Sequence, residues 1–164
     1  SDVQPKKLDY AMEQFGFAGK ILNSSPEEFI QGVGEATGFF EKDGSKTPYG
    51  FDVCIEAVGL PGTFQNSVDA AAFGGKVVLI GVGKQNLDFN FTLLQKKELN
   101  VFGSRNALEK DFTELIDLVK AGKADLEKAI TNIYPFGQAG KAFAEFSSNG
   151  ADMLKVMIDF TAIS

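Results

Sequence analysis

The sequence predicts an α/β fold with a doubly wound parallel sheet, on three observations. The runs "FDVCIEAVG" (51–59) and "GKVVLIGVG" (75–83) are the strongest strand signals. The apolar residues from Lys76 to Val82 are nearly continuous, without alternation, as in strands covered by helices on both faces of a parallel sheet. Between the two runs, "PGTFQNSVDAAAFGG" carries Phe64, Val68 and Ala71 at helical spacing, which makes a strand–helix–strand unit with a right-handed crossover.

The remaining elements follow from the same periodicities. Pro5 suits the first turn of a helix, Leu8, Ala11, Met12 and Phe15 share one face, and Gly16 ends it. "GKILN" (19–23) reads as a short strand. "SSPEEFI" reads as a helix start, with Ser25 as cap, Pro26 at the first position and Glu28 closing a capping box. "FFEKDGSKTPYG" (39–50) is turn-rich and reads as a surface loop. "LDFNF" (87–91) alternates like a strand, and "ELNVFGS" (98–104) reads as a further one. Phe112, Leu115, Ile116 and Val119 mark a helix that ends at Gly122. "AITNIYPF" is extended and stops at Pro135. Ala139, Ala142, Phe143 and Phe146 mark a last helix, and "LKVMIDF" (154–160) a closing strand. Helices and strands alternate throughout, which is the α/β pattern.

Composition narrows the function classes. The 164 residues carry a net charge of −6, which argues against non-specific nucleic-acid binding. No apolar run approaches the ~20 residues of a membrane span, and no signal peptide opens the chain. One cysteine, Cys54, excludes a disulfide framework and points to a reducing, cytoplasmic compartment. The chain has no histidine. It therefore cannot assemble a His/Cys zinc site, a Ser-His-Asp triad or a Cys-His pair, and no catalytic or metal-ligating residue is expected in it.

Several positions have two readings. Asp2 suits the acid that ends the second strand of a dinucleotide-binding unit, where it accepts from the adenosine-ribose hydroxyls of NAD and repels the extra phosphate of NADP. It equally suits a helix cap. The Gly-rich turn expected about 20 residues before such an acid is not there. "GVGKQN" (81–86) imitates a phosphate loop, but Asn86 takes the third glycine position and no helix follows at once, so it is rejected as one. Gly81 and Gly83 would still let backbone approach a ligand, or form a simple turn. "AVGLPG" (57–62) ends a strand where ligands of open α/β sheets sit, or is a plain turn. Arg105 in "GSRNA" (103–107) pairs with a phosphate or substrate hydroxyl, or ties down its loop. Lys155 is a phosphate contact or a surface charge, and Cys54 an inert buried thiol.

The ordered set "SDVQPKKLDYAMEQFG", "FDVCIEAVG", "AAAFGGKVVLIGVG", "LNVFGSRNA", "DLVKAGK", "YPFGQAGKAFAEF" and "KVMIDF" resembles the zinc-type medium-chain dehydrogenase/reductase family over nearly the whole chain. "GSRNA" looks most like the polyol and sugar-acid dehydrogenase branch. The resemblance implies a Rossmann-like sheet lacking its first βα unit (1–106), followed by a C-terminal return segment of the catalytic domain (107–164). It implies NAD as cofactor. Asp2 looks like the ribose acid, Lys7 like the basic residue beside it, and Lys155 like the residue on the pyrophosphate. Ala57, Val58 and Gly59 look like the turn that passes the cofactor, and Ile80, Gly81 and Val82 like the segment against the nicotinamide. Ser104, Arg105 and Asn106 resemble the loop bridging cofactor and substrate.

The same resemblance implies an alcohol or polyol substrate and a zinc ion held by the missing N-terminal half of the enzyme. This chain alone is then expected to be inactive. A homo-oligomer through the 97–104 strand is implied too. Without the first strand, 51–58 is left as an unpaired edge that invites another chain. Two further readings are a zinc-free, NADP-linked quinone-reductase-like member, and a non-enzymatic nucleotide-binding or assembly domain.

Overall fold

The computed structural model describes residues 1–83, 85–150 and 152–161, the side chain of Lys42 excepted. Lys84 of "GVGKQN" lies outside the described residues. The chain divides into two compact units, 21–106 and, together, 1–20 with 107–164.

The 21–106 unit holds α2 (Pro26–Thr37), β1 (Phe39–Lys42), β2 (Ser45–Pro48), β3 (Phe51–Glu56), α3 (Pro61–Ala70), β4 (Ala71–Leu79), α4 (Thr92–Lys97) and β5 (Asn100–Gly103). β3, β4 and β5 form a parallel sheet in that order. The register sets Cys54 beside Val77 and Val101, and Glu56 beside Leu79 and Gly103. On this face Val77 is fully buried, and Cys54 packs against a core of Phe29, Val33 and Ala70 from α2 and α3. On the opposite face Val53, Ile55 and Phe102 stay exposed. The sequence predicts cover on both faces. The two crossovers step in the same direction along the sheet, and connections of one hand that do so put their helices on one face.

Three local expectations need correction. Over 19–23 a single bridge residue, Leu22, stands in place of a strand. A strand needs a ladder to satisfy its amides, and Ile21 instead packs against the α2/α3 core. The turn-rich stretch 39–50 is a β-hairpin, with β1 and β2 antiparallel and Lys42 opposite Ser45. Asp43 and Gly44 both have positive φ (52° and 76°), the geometry that two-residue hairpin loops demand and that an Asp-Gly pair supplies. "LDFNF" pairs with no strand. It runs into α4, and Phe89 packs edge-on against Phe64 of α3 at 4.9 Å.

The start of α2 is capped on one side only. Ser25 Oγ accepts from Glu28 N–H at 3.2 Å, while the Glu28 carboxylate accepts from Ser24 Oγ rather than closing the box. Within α2, Gly34 is a steric necessity. A Cβ there would sit 1.9 Å from the Phe39 ring.

The other unit holds α1 (Pro5–Phe15), α5 (Glu109–Lys120), β6 (Ile130–Pro135), α6 (Ala139–Asn149) and β7 (Lys155–Asp159). α1 ends on Gly16 in the left-handed region, as its sequence predicts. β6 and β7 are parallel and joined through α6. Tyr134 of β6 donates to the Glu145 carboxylate on α6, which pushes the Tyr134 pKa up. Tyr10 of α1 donates to the Lys128 carbonyl at 2.6 Å. Among the described residues, no helix is long and apolar enough to cross a membrane.

One half-buried cation ties the layers of the 21–106 unit together. Lys97, the last residue of α4, donates to the carbonyls of Val68, Asp69 and Ala71 at 3.0, 2.8 and 2.8 Å. These are carbonyls at the end of α3, where a helix lacks acceptor partners and favours positive charge. Burial pushes the Lys97 pKa down, and Asp69 and Cys54 push it back up. Lys97→Met removes three charge-assisted bonds and should lower unfolding stability by about 2 kcal/mol in chemical denaturation.

Candidate functional site

The carboxyl end of the β3–β4–β5 sheet is organised by one side chain. Glu56, the last residue of β3, is buried among apolar strand residues. Its Oε1 accepts from Val58 N–H (2.8 Å), Gly59 N–H (2.8 Å) and the Thr63 hydroxyl (2.7 Å). Its backbone carbonyl accepts from Ile80 N–H (2.8 Å) and Gly81 N–H (3.0 Å). One residue thus gathers the turn after β3 and the segment after β4. Burial pushes the Glu56 carboxyl up. The bonds from Thr63, Gly59 and Val58 outweigh that and hold it below its ordinary 4.5.

The two segments are then in backbone-to-backbone contact, which fixes their residue types. A Cβ on Gly81 would lie 2.3 Å from Gly59 N and 2.5 Å from Glu56 Oε2. Gly59 has φ 85°, and a Cβ there would lie 2.6 Å from the Val82 carbonyl carbon. The third segment joins through Ser104 N–H, which donates to the Leu79 carbonyl at 2.9 Å. Asn106 follows with φ 63°, a left-handed conformation that asparagine tolerates.

This arrangement decides what the sheet end can receive. The amides of residues 58, 59, 80, 81 and 104 all point inward. A backbone anion nest needs amides pointing outward, so these segments do not form one. They offer carbonyls and side chains instead. Val58, Ile80 and Val82 are 60, 47 and 66% exposed. The site presents an exposed apolar rim, suited to the face of a flat ligand.

The structure brings together Ala57, Val58 and Gly59 with Ile80, Gly81 and Val82, and adjoins Ser104, Arg105 and Asn106 through β5. Asp2, Lys7 and Lys155 stand in the other unit. There Asp2 and Lys7 line one cleft of about 240 Å³ with Met12, Lys20 and Leu154. The Asp2 carboxylate accepts from Gln4 N–H at 2.9 Å, so it turns the chain into α1. Lys155 opens β7 and does not line that cleft.

Sequence reasoning missed Glu56. The sequence carries only a partial signal: an acid that ends an apolar strand directly before the Ala57–Gly59 turn. Buried carboxylates are retained only where donors surround them. Cys54 behaves as read. Burial pushes its thiol up, partly countered by Lys97, and a protonated thiol is a poor nucleophile. Among the described residues no three of His, Cys, Asp and Glu converge on a possible metal position.

Comparison with known proteins places this geometry. Residues 1–121 match the family model described as "Zinc-binding dehydrogenase". D-xylulose reductase of Saccharomyces cerevisiae is 30% identical over 158 residues, covering 96% of this chain and 42% of the relative. A zinc-dependent alcohol dehydrogenase of Streptococcus pneumonia, in its apo form, superposes with TM-score 0.81 at 27% identity, covering 99% of this chain and 44% of that one. An alcohol dehydrogenase of E. coli CFT073, complexed with NADH, superposes with TM-score 0.75 at 26% identity, covering 95% and 42%. The chain spans less than half the length of the relatives it matches.

Two outcomes follow from the Glu56 arrangement. Gly81→Ala should cost about 2–4 kcal/mol, because the added methyl would meet the Val58 and Gly59 backbone and the anchored Glu56 carboxylate; chemical denaturation reads it. Glu56 has a folded pKa below its ordinary 4.5. It therefore binds fewer protons folded than unfolded, so its stabilisation is present above 4.5 and is lost as pH falls through the lowered value. The stability gap between wild type and Glu56→Gln should accordingly narrow from about pH 6 to about pH 3 in urea titrations.

Proposed function

The chain belongs to the zinc-binding dehydrogenase family, and from that premise we propose that it forms the nicotinamide-cofactor portion of an NAD-linked dehydrogenase acting on a secondary alcohol of a polyol or sugar acid. The observation that carries this reading is the sheet end itself: the turn after β3 and the segment after β4 locked backbone to backbone by Glu56 and two glycines, with Val58, Ile80 and Val82 exposed beside them. A nicotinamide ring is flat, and its carboxamide donates hydrogen bonds, so this rim fits it. The relative named for D-xylulose reduction and the fold neighbour complexed with NADH support the substrate class and the cofactor.

NAD, when bound, supplies the hydride acceptor. The chain's own residues bind and orient it. Val58, Ile80 and Val82 shelter one face of the ring from water. Gly59 and Gly81 keep the backbone close enough for its carbonyls to fix the carboxamide. Ser104, Arg105 and Asn106 bridge to the substrate hydroxyls. Asp2 has one carboxylate oxygen held by Gln4 N–H, which leaves the other for a ribose hydroxyl and repels a 2′-phosphate. Lys7 and Lys155 are assigned to the ribose neighbourhood and the pyrophosphate. The zinc that the family's description implies does not fit this chain, which offers no histidine and one half-buried cysteine. Its ligands are assigned to residues outside the chain.

Within this reading 1–106 serves the cofactor, and 107–164 closes the catalytic domain. β3 ends the β3–β4–β5 order and is the sheet edge assigned to the rest of the enzyme, with Val53 and Ile55 exposed on its uncovered face. β5, exposed along its length at the other edge, pairs subunits. A cytoplasmic location suits a redox enzyme with one free thiol.

The test is steady-state oxidation of a panel of polyols and aldonic acids by the protein with its complementing portion. NAD-dependent turnover of polyols supports the reading. Turnover only of quinones with NADPH, or cofactor binding with no turnover of either class, overturns it. Asp2→Asn should raise kcat/KM with NADP at least about tenfold, because one repulsive charge is removed from the 2′-phosphate.

A further inference from the structure

We propose that Glu56 is a positioning residue for the cofactor, its carboxylate aiming the Ala57–Gly59 turn and, through it, the Ile80–Val82 segment that meets the nicotinamide. The inference rests on the functional reading above and deepens it.

The argument starts from cost. A turn between a strand and a helix needs no buried charge; a glycine suffices. Here a carboxylate is enclosed at 4% exposure. Taking that charge out of water is unfavourable, and it persists because three donors converge on one oxygen. Thr63 is itself held in place, accepting from Leu60 N–H at 3.2 Å at the start of α3. The anchor therefore runs from the first turn of α3 through Thr63 and Glu56 to the amides of Val58 and Gly59.

The consequence is directional. With both amides drawn inward, Val58 is turned out to solvent. Glu56 Oε2 faces the Cα of Gly81, and the Glu56 carbonyl holds Ile80 and Gly81 from the other side. Removing the charge leaves the two amides competing for a weaker acceptor. The turn can then relax away from Gly81, and the exposed Val58 and Ile80–Val82 surface proposed to meet the ring loses its alignment. The Glu56 carboxylate is itself buried beneath the turn, so it acts through its neighbours.

The test uses the full protein with its complementing portion. NAD affinity is measured by isothermal titration calorimetry, alongside steady-state kinetics and thermal melting. Glu56→Gln keeps the shape and one acceptor oxygen but loses the charge. It should weaken NAD binding about tenfold, the difference between a charged and a neutral acceptor. At saturating NAD, kcat should stay within about twofold, since the reacting atoms are untouched. Thr63→Val removes one donor and should weaken binding about threefold. It carries the test if the Gln variant does not fold.

A brace with no positioning role would lower the melting temperature and leave the NAD affinity of the folded protein unchanged. That result overturns the proposal, as does a fall in kcat with unchanged NAD affinity. Wild-type protein that binds no NAD overturns the functional reading as well, which separates that failure from a failure of the Glu56 assignment alone.

Discussion

The carboxylate of Glu56 is the interaction on which the rest of the site depends. It sits where β3 must turn, in a position that burial alone would make unfavourable for charge. Its side chain and carbonyl together satisfy four amides drawn from two separate segments. The glycines at 59 and 81 follow from that closeness, because no Cβ fits between the segments. Val58 and Val82 stay exposed beside them, while the amides of residues 58, 59, 80 and 81 are bonded inward. A single buried charge thus sets the residue types, the conformation and the chemical character of the sheet end.

That character separates two kinds of glycine-rich turn. A phosphate loop presents unpaired amides at a helix start. The segments here consume their amides internally. "GVGKQN" looks glycine-rich for a different reason: Gly81 and Gly83 clear space for the neighbouring backbone. The distinction matters for the proposed function, in which the sheet end meets the uncharged part of a dinucleotide rather than its pyrophosphate.

The fold was legible where periodicity and length agreed. β3, α3 and β4 were readable because two dense apolar runs flank a helical spacing, and the parallel pairing followed. The hairpin at 39–50 was read as a loop, although Asp43-Gly44 is a turn signal flanked by strand-forming residues. Turn residues dominated the reading of a stretch too short to show alternation. "GKILN" failed for the opposite reason. Its local pattern suits a strand, but a strand exists only where a neighbour supplies the ladder. Of the site, Gly59 and Gly81 were singled out by position in the chain, while Glu56 was passed over. An acid in an apolar run declares itself only when the donors around it are known, and those come from residues that the fold, not the sequence order, brings to it.

The most direct measurement of the central claim is a titration of the isotopically labelled protein with NAD, followed through backbone amide chemical shifts. The account predicts that the largest shifts fall on residues 57–59, 80–83 and 104–106, with the amides of Val58 and Gly59 staying protected from exchange throughout. Shifts confined to the open aromatic cleft of Phe40, Tyr49 and Phe73, with residues 57–59 and 80–83 unmoved, would contradict it.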